Sequence, residues 1–160
     1  MDIIESSKQR AVSNMEFFLR NFAHVPDDKL NWTPTPTSKS AIRIAAHTAL
    51  YAGRFAAMIR NRALPQPENL SEWLAQRDAE EKAVTSREEM EQIFRAGTAE
   101  VLAALETLTP EEVESTLASA QGWSMPMKLL IGLPGWHATL HAGQIDYLQT
   151  CWDDQEVYVA

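Results

Sequence analysis

Cysteine is nearly absent from this chain: Cys151 is the only one among 160 residues. No intrachain disulfide can form, and the chain suits a reducing compartment. Long apolar runs are absent as well. No segment offers the roughly 18 uninterrupted apolar residues that a membrane-spanning helix needs. The opening MDIIESSKQR carries an acid at its second position and has neither the basic cap nor the apolar stretch of a secretion signal. These absences predict a cytoplasmic protein that does not engage a membrane. Positive charge is scarce beside negative: 14 Lys and Arg stand against 22 Asp and Glu, a formal net charge of -8, and the basic residues are scattered with no run of four. Such a chain repels phosphate backbones and anionic lipid, which argues against nucleic acid as a partner.

What is present is an ordinary globular composition, with 45% hydrophobic and 22% charged residues. That suffices for one core, and the length suits a single domain over residues 1–160. Apolar residues recur at the helical period. Ile4, Ala11, Met15, Phe18 and Phe22 share one face and predict a first helix over residues 3–23. A Pro- and Thr-rich loop, HVPDDKLNWTPTPTSKS, follows. Ile44, His47, Tyr51, Phe55 and Met58 mark a second helix over residues 40–62, with Arg43, Arg60 and Arg62 left for solvent.

The Pro-bounded stretch after it predicts only a short helix around Glu72 to Gln76, capped by Ser71, within a long loop. Ser86 and Glu89 form a capping-box pattern ahead of Met90, Phe94, Val101, Leu105 and Leu108, the third long helix. Gly97 lies on that stripe, where a missing side chain would let another helix come close. Thr109-Pro110 predicts a short further turn, and residues 115–124 read as irregular. A fourth long helix is expected from Ser124 to about Trp152, kinked or broken at Pro134-Gly135. The fold class is therefore all-α: a four-helix bundle with short extra helices in the connections.

Chemistry concentrates on histidine. His137 and His141 are four apart on a helix, so both imidazoles reach a common ion from one face. His47 lies on the apolar stripe of the second helix, where a polar ring must find a partner; a carbonyl would satisfy it, and so would a metal shared with the facing pair. Three imidazoles with an open position suit zinc, nickel or ferrous iron. A structural zinc site would take four ligands and usually thiolates, which one cysteine cannot supply.

His47 in DKLNWTPTPTSKSAIRIAAHTALY, and the later GWHATLHAGQ with its H-x3-H-x-G-Q pattern, resemble the DinB/YfiT-like superfamily of metal-dependent enzymes. The resemblance covers nearly the whole chain. It implies an up-down-down-up four-helix bundle, a divalent metal on His47, His137 and His141, and a homodimer. Members include thiol-dependent transferases and isomerases that use low-molecular-weight thiols, and proteins described as hydrolases. Ala142 departs from the pattern, since arginine often follows the second histidine in the family.

Around these ligands, Tyr51 is one turn from His47 and is a candidate acid or substrate contact. Gln144, one turn after His141, is a candidate partner for a ligand imidazole. Arg54 could receive an anionic substrate or the carboxylate of a thiol. Asp146 points away from the metal face, His24 suits the end of the first helix, and Cys151 reads as a buried filler. The expected activity is that of a metal-dependent hydrolase or thiol-dependent transferase acting on a small molecule. The alternative is a non-catalytic stress protein that binds a metal or small ligand.

Overall fold

The structure, a computed structural model, describes residues 2–158. Four long helices make the bundle: α1 (Ile3–Ala23), α2 (Ala41–Asn61), α4 (Arg87–Glu106) and α7 (Leu133–Thr150). The connections carry α3 (Leu70–Ala83), α5 (Pro110–Val113) and α6 (Met127–Leu130), together with two strands, β1 (Thr116–Ala118) and β2 (Ser124–Pro126). No helix is long and apolar enough to cross a membrane, among the described residues.

The helices run up, down, down, up. The first turn of α7 meets the middle of α1 where Asn14 donates to the carbonyl of Gly135 at 3.0 Å, and farther along both helices Asn21 and Gln149 share one cavity wall, so the two run in the same sense. The helix α4 opposes α1, because Lys8 near the start of one pairs with Glu106 at the end of the other at 3.3 Å. It runs beside α2 in the same sense, with Arg62 donating to the carbonyl of Thr107 at 2.6 Å just past both helix ends. Around the ring, α1 touches α4 and α7 while α2 touches α4 and α7, so α1 and α2 stand across the bundle from each other.

The apolar stripes meet in two connected layers. Phe18, Phe22 and Phe94 pack with Ile42, Ile145 and Leu148 in one; Phe55, Ile59, Val101, Leu105, Met127 and Ile131 fill the other. The ring of Phe94 stands edge-on to Phe18 at 5.7 Å, the arrangement aromatic quadrupoles favour. Gly97 sits where α2 and α4 approach most tightly: a Cβ there would lie 2.8 Å from the backbone nitrogen of Gly53 and 2.9 Å from Cβ of Ala52. A side chain of any size would hold the helices apart.

Several local expectations change. The helix α3 has 14 residues and is capped by Asn69, whose side chain accepts from the Glu72 amide at 3.2 Å, in place of Ser71. Its apolar residues Leu70 and Leu74 are exposed and Glu81 is its one buried side chain. Ion pairs hold it to the bundle: Arg43 with Asp78 at 2.6 Å, Arg54 with Glu80 at 2.7 Å and Lys39 with Glu81 at 2.7 Å. Arg43 and Arg62, expected in solvent, thus meet carboxylates on other elements, the latter on Glu112 at 2.9 Å. The stretch expected to be irregular holds the antiparallel pair Thr116 to Pro126, turned at Gly122 with φ of +81°. The fourth long helix is split. Its break falls at Ile131-Gly132, and Pro134 occupies the first turn of α7, where a missing amide costs nothing. Gly135 lets that turn touch α1, with Arg10 backbone 3.0 Å from where a Cβ would be.

Candidate metal centre

The inner face of α2 carries His47 between Ile44 and Tyr51, and the facing side of α7 carries His137 and His141. Because the break in the chain lies upstream of Leu133, α7 is regular through both histidines and keeps them one turn apart on a single face. Opposed helices then bring the three rings together. Nε2 of His137 lies 3.3 Å from Nε2 of His47 and 3.0 Å from Nε2 of His141, and the three donor atoms lie within 4.8 Å of one another. Nitrogens bound to one ion at about 2.0–2.1 Å would be about 3.3 Å apart in a tetrahedron and about 2.9 Å at right angles. The 3.0 and 3.3 Å separations match that geometry, while the widest, up to 4.8 Å, exceeds the roughly 4.2 Å that two such bonds span, so one ion would draw the outer rings closer together.

The outer nitrogens of two rings are already engaged. Nδ1 of His47 donates to Oε1 of Glu81 at 2.6 Å, and Nδ1 of His141 donates to Oε1 of Gln144 at 2.7 Å. A ring with its proton on Nδ1 presents the lone pair of Nε2 inward, the form a metal requires. Burial alone would raise the carboxyl of Glu81, which is 4% exposed, but the hydrogen bonds and charges of His47 and Lys39 prevail and hold it at about 2. Glu81 is therefore an anion that only accepts. Burial pushes His137 down to about 3, helped by the neighbouring His141 and His47, so its ring is neutral at physiological pH. Burial also lowers His141, against the hydrogen bond it donates to Gln144.

Sequence reasoning missed Glu81. Nothing in LSEWLAQRDAEEK marks one acid among several, and the only trace is on α2, where Arg43, His47 and Arg54 follow helical spacing in a segment without a single Asp or Glu.

Tyr51 closes one side of the centre. Its ring lies 4.4 Å from that of His47 and 5.1 Å from that of His137, with the Arg54 guanidinium over it at 4.6 Å. His137 is buried while His47 and His141 are partly exposed, so the cluster reaches the surface. Ala142 is fully buried in the core, a place with no room for a charged side chain. His24 ends α1 and stacks on Tyr158 at 3.8 Å, away from the cluster. Asp146 is exposed and lines a different cavity. Cys151 is exposed, contrary to the buried position expected for it, because it falls just past the last turn of α7 on the outer side.

The profile of the DinB superfamily matches residues 11–145, and the chain belongs to that family. A comparison with curated proteins found no match. Among solved structures, the chain is similar to YfiT from Bacillus subtilis, described as a probable metal-dependent hydrolase with an unusual four-helix bundle topology (TM-score 0.70, 15% identity, 94% of this chain and 87% of that one). It is similar to YjoA, a DinB-like protein from the same organism (TM-score 0.67, 17% identity, 95% and 94%). It is also similar to a mycothiol-dependent maleylpyruvate isomerase (TM-score 0.68, 13% identity), covering 89% of this chain but 60% of the isomerase, so that the chain spans about three fifths of that protein's length. At these identities the likeness is one of fold.

Proposed function

We propose that this protein is a metal-dependent enzyme whose divalent ion, zinc, nickel or iron, is held by Nε2 of His47, His137 and His141. The observation that carries the reading is the convergence of three imidazoles, two of which, His47 and His141, have their outer nitrogens oriented by Glu81 and Gln144. Three protein ligands leave positions open for a small molecule, and two partly exposed rings give it access; a sealed site would favour a structural role. A bound divalent ion supplies Lewis acidity, which brings a water or thiol within reach of ionisation near neutral pH.

The protein's own groups have narrower tasks. Glu81 orients His47 and offsets the ion's charge; held at about 2 and engaged by Lys39, it is a poor proton acceptor. Gln144 fixes His141. Tyr51 offers a rigid wall and a hydroxyl beside the centre. Without a free carboxylate at hand, activation by the ion accounts for the chemistry better than general-base hydrolysis does, which favours a thiol-dependent transfer over hydrolysis. The exposed Trp136, Leu140 and Tyr147 on α7 support a homodimer.

Metal content by mass spectrometry on untagged protein tests the reading, comparing wild type with His47→Ala and with His137→Ala/His141→Ala. Near-stoichiometric metal that both variants lose supports it; no uptake of zinc, nickel or iron after reconstitution sinks it.

A further inference from the structure

The cavity that Tyr51 separates from the imidazoles lies between α2, the chain just beyond it and α3, and has a volume of about 220 Å³. At about 30 Å³ per water it holds the equivalent of some seven waters, room for a small organic acid. Met58, Leu64 and Trp73 give it apolar walls, and Arg54 and Arg77 reach into it. Both guanidiniums lean on one oxygen: Oε2 of Glu80 accepts from Nη2 of Arg54 at 2.7 Å and from Nη1 of Arg77 at 3.1 Å. Two positive charges therefore share one negative charge. Nη1 of Arg54 and Nε of Arg77 are buried and have no acceptor. A buried donor without a partner has lost its hydration with nothing in return, and a charged donor more so. Each guanidinium also lies over an aromatic ring, Tyr51 at 4.6 Å and Trp73 at 4.9 Å, which favours its present position.

The geometry points to a substrate-anchoring site: Arg54 and Arg77 take the carboxylate of a small, largely apolar monoanion and hold its body against Tyr51, the residue this cavity shares with the three-histidine centre. The net charge of one matches a monoanion, and planar guanidinium forks match a carboxylate. The apolar walls take the remainder of the molecule. Tyr51 is common to both sites, with its ring against His47 and His137 and the Arg54 guanidinium over it. The assignment names the substrate class of the proposed enzyme and rests on that reading only for its catalytic meaning; the anion site itself needs no metal.

The test is binding of 4-fluorobenzoate, followed by fluorine NMR on metal-free protein, with 4-fluorobenzamide as the uncharged counterpart. Wild type is expected to bind the acid in preference to the amide, and Arg77→Gln to weaken the acid by about tenfold, the effect of losing a charged donor. Glu80→Gln removes the competing carboxylate and is expected to tighten binding several-fold. A purely structural role for Glu80 would weaken it, since α3 would loosen. His141→Ala, which removes a partly exposed ring of the cluster that does not stack on Tyr51, is expected to bind the acid as wild type does. Equal binding of acid and amide, or indifference to Arg77→Gln, overturns the anchor. So does loss of binding in the His141→Ala variant, which would place the anion on the imidazoles. Failure to bind metal leaves these readings untouched and bears on the proposed enzyme alone.

Discussion

Glu81 on α3 accepts a hydrogen bond from Nδ1 of His47 on α2 at 2.6 Å, across 34 positions of the chain. This single contact orients an imidazole of the centre and supplies the one buried side chain of α3. It joins the packing of a peripheral helix to the chemistry of the cluster.

Removing that carboxylate should affect metal before it affects fold. Glu81→Gln keeps an acceptor for His47 but loses the charge, and metal affinity is expected to fall about 10- to 100-fold, the usual cost of losing a partner behind a ligand. Competition with a chromophoric chelator measures it, and unchanged affinity would show that Glu81 serves only to dock α3.

Acid should destabilise the metal-free protein in a defined window. His137 takes its proton in the fold only near pH 3, whereas the unfolded chain takes it near 6.5, so the unfolded state binds more protons between those values. Stability is then highest above about pH 6.5 and falls by about 1.4 kcal/mol per pH unit as pH drops toward 3. Glu81 adds to the loss from about 4.5 down toward 2, where the unfolded carboxyl protonates and the folded one does not. Urea midpoints measured across this range should show the slope, and His137→Gln should reduce it between pH 6.5 and 4.5, leaving the smaller contribution of the similarly lowered His141.

The two glycines at the tightest helix contact should respond with opposite signs. Gly97→Ala puts a methyl group 2.8 Å from the Gly53 nitrogen, and overpacking should outweigh the gain in helix propensity, for a net loss of about 1–3 kcal/mol. Gly53→Ala meets nothing within 4 Å and should stabilise by up to about 1 kcal/mol. Thermal melts of both variants decide this; equal shifts would mean that α2 and α4 separate easily.

Cys151 should react in the native protein. Its exposure predicts full modification by a chromogenic disulfide reagent without denaturant, whereas a packed thiol would react only after unfolding.

The long helices were legible because their signal is local. A stripe of apolar residues at the helical period, such as Met15, Phe18 and Phe22, states both that a helix forms and which face it buries. The helix α3 carries no such stripe. It docks through Asp78, Glu80 and Glu81 onto basic residues of and just before α2, and its extent could not be read from its own composition. The strands around Gly122 were hidden for another reason: three residues are too few to display alternation. The break in the last long segment was anticipated, but proline tolerance at a first helical turn shifted it upstream to Ile131-Gly132.

By itself, then, the sequence determined what depends on neighbours within a few turns: the all-α class, the stripes and the placing of His137 and His141 on one helical face. Tertiary structure decided what depends on partners far apart in the chain. It set the meeting of His47 with that pair, the choice of Glu81 among several acids, and the sharing of Glu80 by two arginines. The physical reason is that helix periodicity is a property of a segment, whereas burial, protonation and ligand geometry are properties of the space between segments, and that space exists only once the bundle has closed.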